Sequence, residues 1–521
     1  MGRRVVEIAG GHGGWGAPRQ ASWLCVVAAL AALACGEATP KSGKGGASAG
    51  SSGAAGTTGD GDAAGDSGLG GGGPHAGSTA VAGSSSGGSS RGGSSNGGRG
   101  GMSSGGGATG GAGVGEQVCS SDAKSCFEVV HQQWPGTGNA GVDGVAFDSE
   151  GDVVVAASTL GGLAPLNPSG AADFLVKWSP TLQFVSAQQQ LGISRSLALD
   201  ASDNAFRAGV RTFDPKVTGT SGLDLSVTKT SPDGTELWSK PVGSMLYDDA
   251  RGMATDADGN CYIGGFTFGQ FADDPNLGGG DALVVKLAPN GDQLWAHQFG
   301  SNDFDGIEGI CTDAAGNAYV TGSVTGTLAS PGQGDEDLFV AKLSPSGERL
   351  WTKQLGSAGT DGGTGVACGA DFIYVVGITT GRLDDPQAAA PADTDIVLLK
   401  YDSAGTQLWL EQWLTADEER YPKIAVGLKD EAVVAGATAT DLDGVLANGP
   451  GGATDLFLGS WSSSGKLLWT YQWGSSSWDT AMGIAISPTG RIAVGALAQT
   501  ALPQFASLGS GGAVLSVFTP Q

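Results

Sequence analysis

A phrase ending in Leu-Trp recurs along the chain: GTELW at 234–238, GDQLW at 291–295, GERLW at 347–351, GTQLW at 405–409 and GKLLW at 465–469. Its tryptophans stand 57, 56, 58 and 60 residues apart. A period of that length, held over five copies, confines the chain to stacked or radially arranged units of one supersecondary motif. Three further phrases keep the same period. An Asp-led apolar run precedes each Leu-Trp: DLSVTK (224–229), DALVVK (281–286), DLFVAK (337–342), DIVLLK (395–400) and DLFLGS (455–460), with an earlier DFLVK (173–177) and a worn GAVLSVF (512–518). Ahead of these stand phrases such as GNCYIGG (259–265) and GNAYVTG (316–322), and ahead of those GVAFD, SLALD, GMATD, GICTD, GVACG, KIAVG and GIAIS, starting at 144, 196, 252, 309, 365, 423 and 483.

Every phrase is short, rich in β-branched or aromatic residues and bounded by Gly, Asp, Asn or Pro, which is strand text separated by hairpin turns. Four strands in a unit of about 55 residues, seven times over, suit radial blades better than one closed barrel. The phase of the repeat adds closure. The folded text opens on a lone fourth-type strand, Phe127 to Trp134, and ends on a lone third-type strand near Val514 to Phe518. Seven copies of each type result if the first strand completes the last blade, an arrangement that hides otherwise unpaired edges. The expected fold is therefore all-β: a seven-bladed β-propeller with four antiparallel strands per blade, its N-terminal strand closing the last blade.

The units, read as GxAxDxxGNxYVxG followed by DxFVxKLxxxGxxLW, resemble the SBBP repeats of bacterial β-propeller lipoproteins. The resemblance covers about 130–521 and is best at 252–300 and 309–356. It implies a propeller, often at the cell surface, and implies no reaction.

The first 115 residues read differently. Arg3, Arg4 and Arg19 lead into a 12-residue apolar run, Trp23 to Ala34, too short to span a bilayer comfortably. It ends at Ala32-Leu33-Ala34-Cys35-Gly36, which resembles a bacterial lipobox, where the cysteine receives diacylglycerol and becomes the new N-terminus. The lead is long, and alanine replaces the usual leucine three places before Cys35; the competing reading is an ordinary secretory signal cleaved nearby. From Gly36 to Gly115 there is no Phe, Tyr or Trp. Such Gly/Ser text cannot bury enough apolar surface to order itself and should act as a coil with an r.m.s. span on the order of 50 Å. The expected divisions are a lipoprotein signal peptide at 1–35, a disordered tether at 36–118 and the propeller at 119–521. Gly36 after the cysteine points to the outer membrane and cell surface.

Cys119 and Cys126, seven apart at the domain edge, are expected to form a disulfide in an oxidising compartment. Cys261, Cys311 and Cys368 lie in apolar strand text and read as inert buried thiols. Residues 116–521 carry 20 Lys and Arg against 47 Asp and Glu, so nucleic acid would be repelled.

Four constellations are candidates for chemistry. The turns DSEGD (148–152), DADGN (256–260) and DAAGN (313–317) echo Ca2+ loops but lack the later bidentate Glu, and Asp-Gly and Gly-Asn are ordinary hairpin residues. Asp248, Asp305, Asp361, Glu419 and Asp479 stand four places before the first-strand glycine, or its equivalent, in five successive units. If that strand lines the channel, they form an acidic ring able to hold a divalent cation or a basic group; the alternative is one turn-capping acid per blade. Trp238, Trp295, Trp351, Trp409 and Trp469 are expected to pack between blades, as the Gly-x-x-x-Trp phrases of quinoprotein propellers do. The propeller's two histidines, His131 and His297, lie in no nucleophile-elbow phrase.

The reading that follows is a monomeric, lipid-anchored, non-enzymatic binding or adhesion module for a protein, glycan or cation, with no cofactor expected. Its loops at 160–172, 211–223, 267–280, 325–336, 381–394 and 440–454 vary while the strands repeat. The rival is an extracytoplasmic propeller enzyme, a glycan lyase or hydrolase or a quinoprotein, which requires polar residues converging in one pocket.

Overall fold

A computed structural model describes residues 111–112, 116–119, 126–135, 140–159, 172–190, 193–211 and 224–521, apart from short stretches of connection at 245, 272–273, 331, 386–392, 416, 443–453, 504 and 506–510. The expected signal peptide, Cys35, most of the tether and much of the variable loops lie outside the described residues. The chain divides into residues 1–99 and residues 100–521, and all that follows concerns the second unit.

That unit is a seven-bladed propeller. Six blades are four-stranded antiparallel sheets of consecutive strands, at 140–190, 193–241, 248–299, 305–355, 361–413 and 419–473. The seventh is built from Asp479–Ile486, Ile492–Ala498 and Gly512–Pro520, and Cys126–Pro135 completes it, pairing antiparallel with the last of these, Val129 opposite Phe518 and Trp134 opposite Ala513. The first strand of every blade packs beside the first strand of the next, and that of the seventh beside that of the first, so these strands form the inner wall. Second and third strands are buried almost throughout, as in Cys261–Thr267 and Asp281–Leu287, which explains their unbroken apolar text.

The repeated letters are contacts with the following blade. In the third blade Trp295 Nε1 donates to the carbonyl of Pro345 at 3.0 Å, and Lys286 Nζ donates to the same oxygen at 3.3 Å. Lys286 also meets Asp256 Oδ2 at 3.2 Å and lies 4.6 Å from the centre of the Tyr262 ring. Tyr262 Oη donates to the carbonyl of Gly316 at 2.7 Å. Pro345 and Gly316 both belong to the fourth blade. Trp238, Trp351 and Trp409 repeat the contact with Pro289, Ser403 and Ser463 at 3.0, 3.4 and 3.0 Å. The expectation that the tryptophans join neighbouring blades thus takes a specific form: an indole N–H latched to the next blade's outer hairpin.

One feature departs from the sequence reading. Cys311 and Cys368 are not thiols but a disulfide, 5.8 Å between Cα atoms, joining the inner strands Asp305–Thr312 and Asp361–Cys368 of adjacent blades. Two cysteines about one repeat apart are far apart in sequence yet side by side in a ring. Cys261 is the free cysteine among those described, and it is buried. Glu116–Cys119 pairs with Cys126–Pro135, and Gly111–Ala112 pairs with the same strand further along, because the closing strand offers a free outer edge.

Candidate functional site

The five periodic acids open the inner strands of the third to seventh blades, and all are at 0 % exposure. Each fastens the connection arriving from the preceding blade through the residue four places earlier. The Ser301 hydroxyl donates to Asp305 at 3.0 Å, that of Ser357 to Asp361 at 2.8 Å and that of Ser475 to Asp479 at 2.8 Å. Ser244 Oγ donates to Asp248 at 3.0 Å, and Glu419 accepts from Thr415 and, at 2.8 Å, from Thr438. Burial pushes Asp305 up to about 6, Asp479 up to about 7 and Glu419 up to about 8, and raises Asp361. A carboxylate on the preceding blade's third strand adds to the rise in each case: Asp281, Asp455, Asp395 and Asp337. The acids share one end of the inner wall, each withdrawn into its own turn.

A different ring occupies the bulges of the inner strands. Every inner strand is bulged immediately before its repeat-phrase glycine or the equivalent residue, with register breaks at 142/144, 194/196, 250/252, 307/309, 363/365, 420/423 and 481/483. A bulge leaves its extra residue outside the ladder and re-aims the side chain. The residues so placed include Asp143, Arg195, Arg251, Glu308, Thr364 and Met482, with Tyr421 and Pro422 ahead of Lys423 in the sixth blade. Arg251 Nε lies 3.1 Å from Asp249 Oδ2 and its Nη1 3.8 Å from Glu308 Oε1. Lys423 donates to the carbonyl of Thr364 at 3.2 Å. Burial lowers the Lys423 pKa, with Glu308 opposing the fall and Arg251 adding to it. A lysine of the sixth blade can sense the third and fourth blades only across the central channel. Asp143, pushed up to about 8 by burial, senses Arg195 of the next blade. Asp143 Oδ2 and Arg195 Nε, in the bulges of adjacent blades, are buried without a hydrogen-bond partner.

Above Arg251 the mouth is aromatic. Phe266 touches Phe304 at 5.1 Å and Phe268 at 5.7 Å between ring centres, and Tyr247 lies 6.1 Å from Phe266 and 6.3 Å from Phe268. The Arg251 guanidinium sits 5.4 Å from the centre of the Phe266 ring. Phe266 is the buried floor; Phe268 is 36 % exposed, and Leu246 beside it is 55 % exposed. On the sixth blade Arg420 stacks over Trp478 at 4.6 Å. Apart from Phe266, which lies in the strand Cys261–Thr267, these rings come from the connections on either side of the first and second strands, which emerge together: Gly280 bridges Phe304, and Glu336 bridges Thr360. Sequence reasoning assigned function to this face but missed the throat and the rings. The available signal was the residue before the first-strand glycine, which changes from Asp to Arg to Glu to Thr while its neighbours repeat.

The remaining candidates resolve locally. In the Ca2+-like turns the carboxylates already hold N–H groups and a lysine. Asp256 Oδ1 accepts from the Asn260 N–H at 2.9 Å, while Lys177 sits 2.7 and 3.0 Å from Asp148 and Asp152. Among the described residues no group of three or more His, Cys, Asp or Glu is arranged to hold a metal ion. His131 Nδ1 lies 2.8 Å from Ser516 Oγ and its Nε2 3.8 Å from Glu116, in the order of a Ser-His-acid relay. Ser516 is at 0 % exposure, however, inside the closing sheet, where no substrate reaches it. Cys119 pairs with Cys126 in backbone register; the Cys119 side chain lies outside those described, and their disulfide remains a proposal.

No protein-family profile matches the chain. Over 194 residues it is 24 % identical to the regulatory protein FlaEY of Caulobacter vibrioides, a match that takes in 34 % of this chain and 20 % of that protein. The chain therefore spans about a fifth of that relative's length. Similar solved structures include the Pan2 WD40 domain of Neurospora crassa (14 % identity, 73 % of this chain and 89 % of that one, TM-score 0.42). The β-propeller domain of the Trilobed protease from Pyrococcus furiosus is similar at 10 % identity, over 69 % and 89 % of the two chains, with a TM-score of 0.41. A gluconolactonase of Xanthomonas campestris is similar at 11 % identity, over 78 % and 98 %, with a TM-score of 0.34.

Proposed function

We propose that this protein is exported, anchored to the outer membrane through lipid on Cys35, and presents its propeller as a non-enzymatic binding module for a surface protein or glycan. The observation that carries the binding role is the mouth: Tyr247, Phe268 and Phe304 form a partly exposed aromatic platform over the charged throat. Aromatic anchors rimmed by polar groups are what recognition surfaces are made of. The Cys311–Cys368 bridge supports an oxidising, extracytoplasmic address. The SBBP-like repeats and the lipobox-like Ala32–Cys35 support the anchor.

Two measurements test this. Purified full-length protein, screened against glycans and surface proteins, should bind a component that Phe268→Ala/Phe304→Ala no longer holds. Chemical turnover of the bound component, or equal binding by the variant, would reject the role. In cells fed a palmitate analogue, wild type should carry the label and Cys35→Ala should lose it and leave the membrane fraction. Equal labelling rejects the anchor.

A further inference from the structure

We infer that the channel mouth takes an acidic saccharide, its ring stacked on the Tyr247–Phe268–Phe304 platform and its carboxylate directed to the cations of the throat. This rests on the binding-module reading and names the ligand's chemistry. The first argument is charge. Acids outnumber bases more than two to one in residues 116–521, yet Arg195 and Arg251 occupy successive inner-strand bulges and Lys423 senses Arg251 across the channel. Facing them are Glu308, already beside Arg251 at 3.8 Å, Asp249, spent on the same guanidinium at 3.1 Å, and Asp143, which burial keeps largely protonated near neutral pH. Lys423 meets only a carbonyl at hydrogen-bond distance among the described residues. Burial disfavours its charged form and only the more distant Glu308 supports it, so a ligand carboxylate would supply a nearer counter-charge. Elsewhere the acidic surface repels anions, so anion affinity would be confined to this mouth.

The second argument is shape and polarity. The platform joins the throat through Arg251, which lies over the Phe266 ring while its side chain stays 25 % exposed. A guanidinium in that position can accept a carboxylate in bidentate fashion without leaving the ring. Glu308, 38 % exposed, offers an acceptor, and the Tyr247 hydroxyl, now directed to Asp249, is the donor beside it. A pyranose needs that combination: a C–H face for the aromatic rings, hydroxyls that both donate and accept, and an acid group reaching the cations.

The test uses the full-length protein and matched probes: oligogalacturonate against its methyl ester, and sialyllactose against lactose, by calorimetry. At least one acidic probe should bind about tenfold or more tightly than its neutral partner. Arg251→Gln should remove that preference, Arg251→Lys should keep part of it, and Phe268→Ala should weaken acid and neutral forms alike. Melting curves matching wild type establish that each variant is folded; Lys423→Met replaces Arg251→Gln if the latter is not. Equal affinity for acid and neutral partners, or an acid preference untouched by both Arg251→Gln and Lys423→Met, overturns the inference. A neutral glycan or protein ligand lost with Phe268→Ala/Phe304→Ala would overturn it while leaving the binding module standing. No ligand of any kind would sink both.

Discussion

At the scale of single residues, the buried acids govern how stability depends on pH. Asp305, Asp479 and Glu419 titrate near 6, 7 and 8 in the folded chain, because burial opposes their charge. Unfolded, they would release their protons near 4. Between those limits the folded state holds more protons, so stability is fullest below about 4 for these groups and falls as pH rises toward 8. The hairpin acids run the other way. Burial raises Asp256, but Asn260 and Lys286 outweigh it and hold the carboxyl below its usual range, and Asp200 and Asp313 behave alike. Their contribution is present above about 4 and lost as pH falls through the depressed values. We therefore expect the melting temperature to peak in mildly acidic buffer and to decline from about pH 5 to 8.5. Each pH unit over which a folded and an unfolded carboxyl differ in protonation is worth about 1.4 kcal/mol. Glu419→Gln, isosteric and uncharged, should flatten that decline. Parallel slopes for variant and wild type would show that Glu419 titrates normally.

At the scale of the strand and its neighbour, stability comes from the latch between blades. Gly347 sits at φ +91 in the fourth blade's outer hairpin, and a Cβ there would come within 3.0 Å of the Trp295 ring and 2.7 Å of His297. Gly347→Ala should therefore cost about 1–3 kcal/mol by denaturant titration, through the left-handed backbone and through displacing the indole from Pro345. An unchanged midpoint would mean that the indole latch is idle. The Cys311–Cys368 bridge acts on the same seam. Closing a loop of 57 residues lowers unfolded-state entropy by about 4 kcal/mol equivalent, so Cys311→Ser/Cys368→Ser should melt well below wild type, and reductant should bring wild type down to match it. These elements also mark what was legible in the sequence. Asp, Tyr, Lys, Gly and Trp recur because each blade presents the same atoms to the next, so strands, blade count and latch could be read as a repeat. The throat could not, because Asp143, Arg195, Arg251 and Glu308 occupy a position where the repeat specifies only a bulge. The acids at 248, 305, 361, 419 and 479 repeat for a local reason, the capped turn, and their regularity says nothing about the axis they surround. The disulfide was hidden because its partners differ by one place within the phrase and neighbour each other only once the ring exists.

At the scale of the whole propeller, everything depends on a strand borrowed from the other end of the chain. Cys126–Pro135 covers the edge of Gly512–Pro520 along nine residue pairs, from Phe127 opposite Pro520 to Pro135 opposite Gly512. It also ties the seventh blade to both neighbours. Trp134 lies 5.3 Å from Trp178 of the first blade, and Phe127 lies 5.2 Å from Trp469 of the sixth. Removing it would uncover a row of backbone donors and acceptors and the apolar sides of two further blades. Val129 at 0 % and Trp134 at 4 % exposure alone represent several kcal/mol of burial, on the order of 2–3 kcal/mol each. Deleting 126–135 should thus destabilise the entire domain by more than about 10 °C, although those residues lie farthest in sequence from the blade they complete. Deleting 36–110 should shift the transition by no more than about 1 °C. A permutant separates closure from mere loss of residues. Because Gln521 N–H donates to the Cys126 carbonyl at 3.0 Å, the two ends already form an antiparallel corner. Re-attaching 126–135 after Gln521 through a short Asn-Gly turn should restore the melting temperature of the deletion variant close to wild type. If the deletion melts unchanged, or if the permutant remains as unstable as the deletion, the ring is not held shut by this strand.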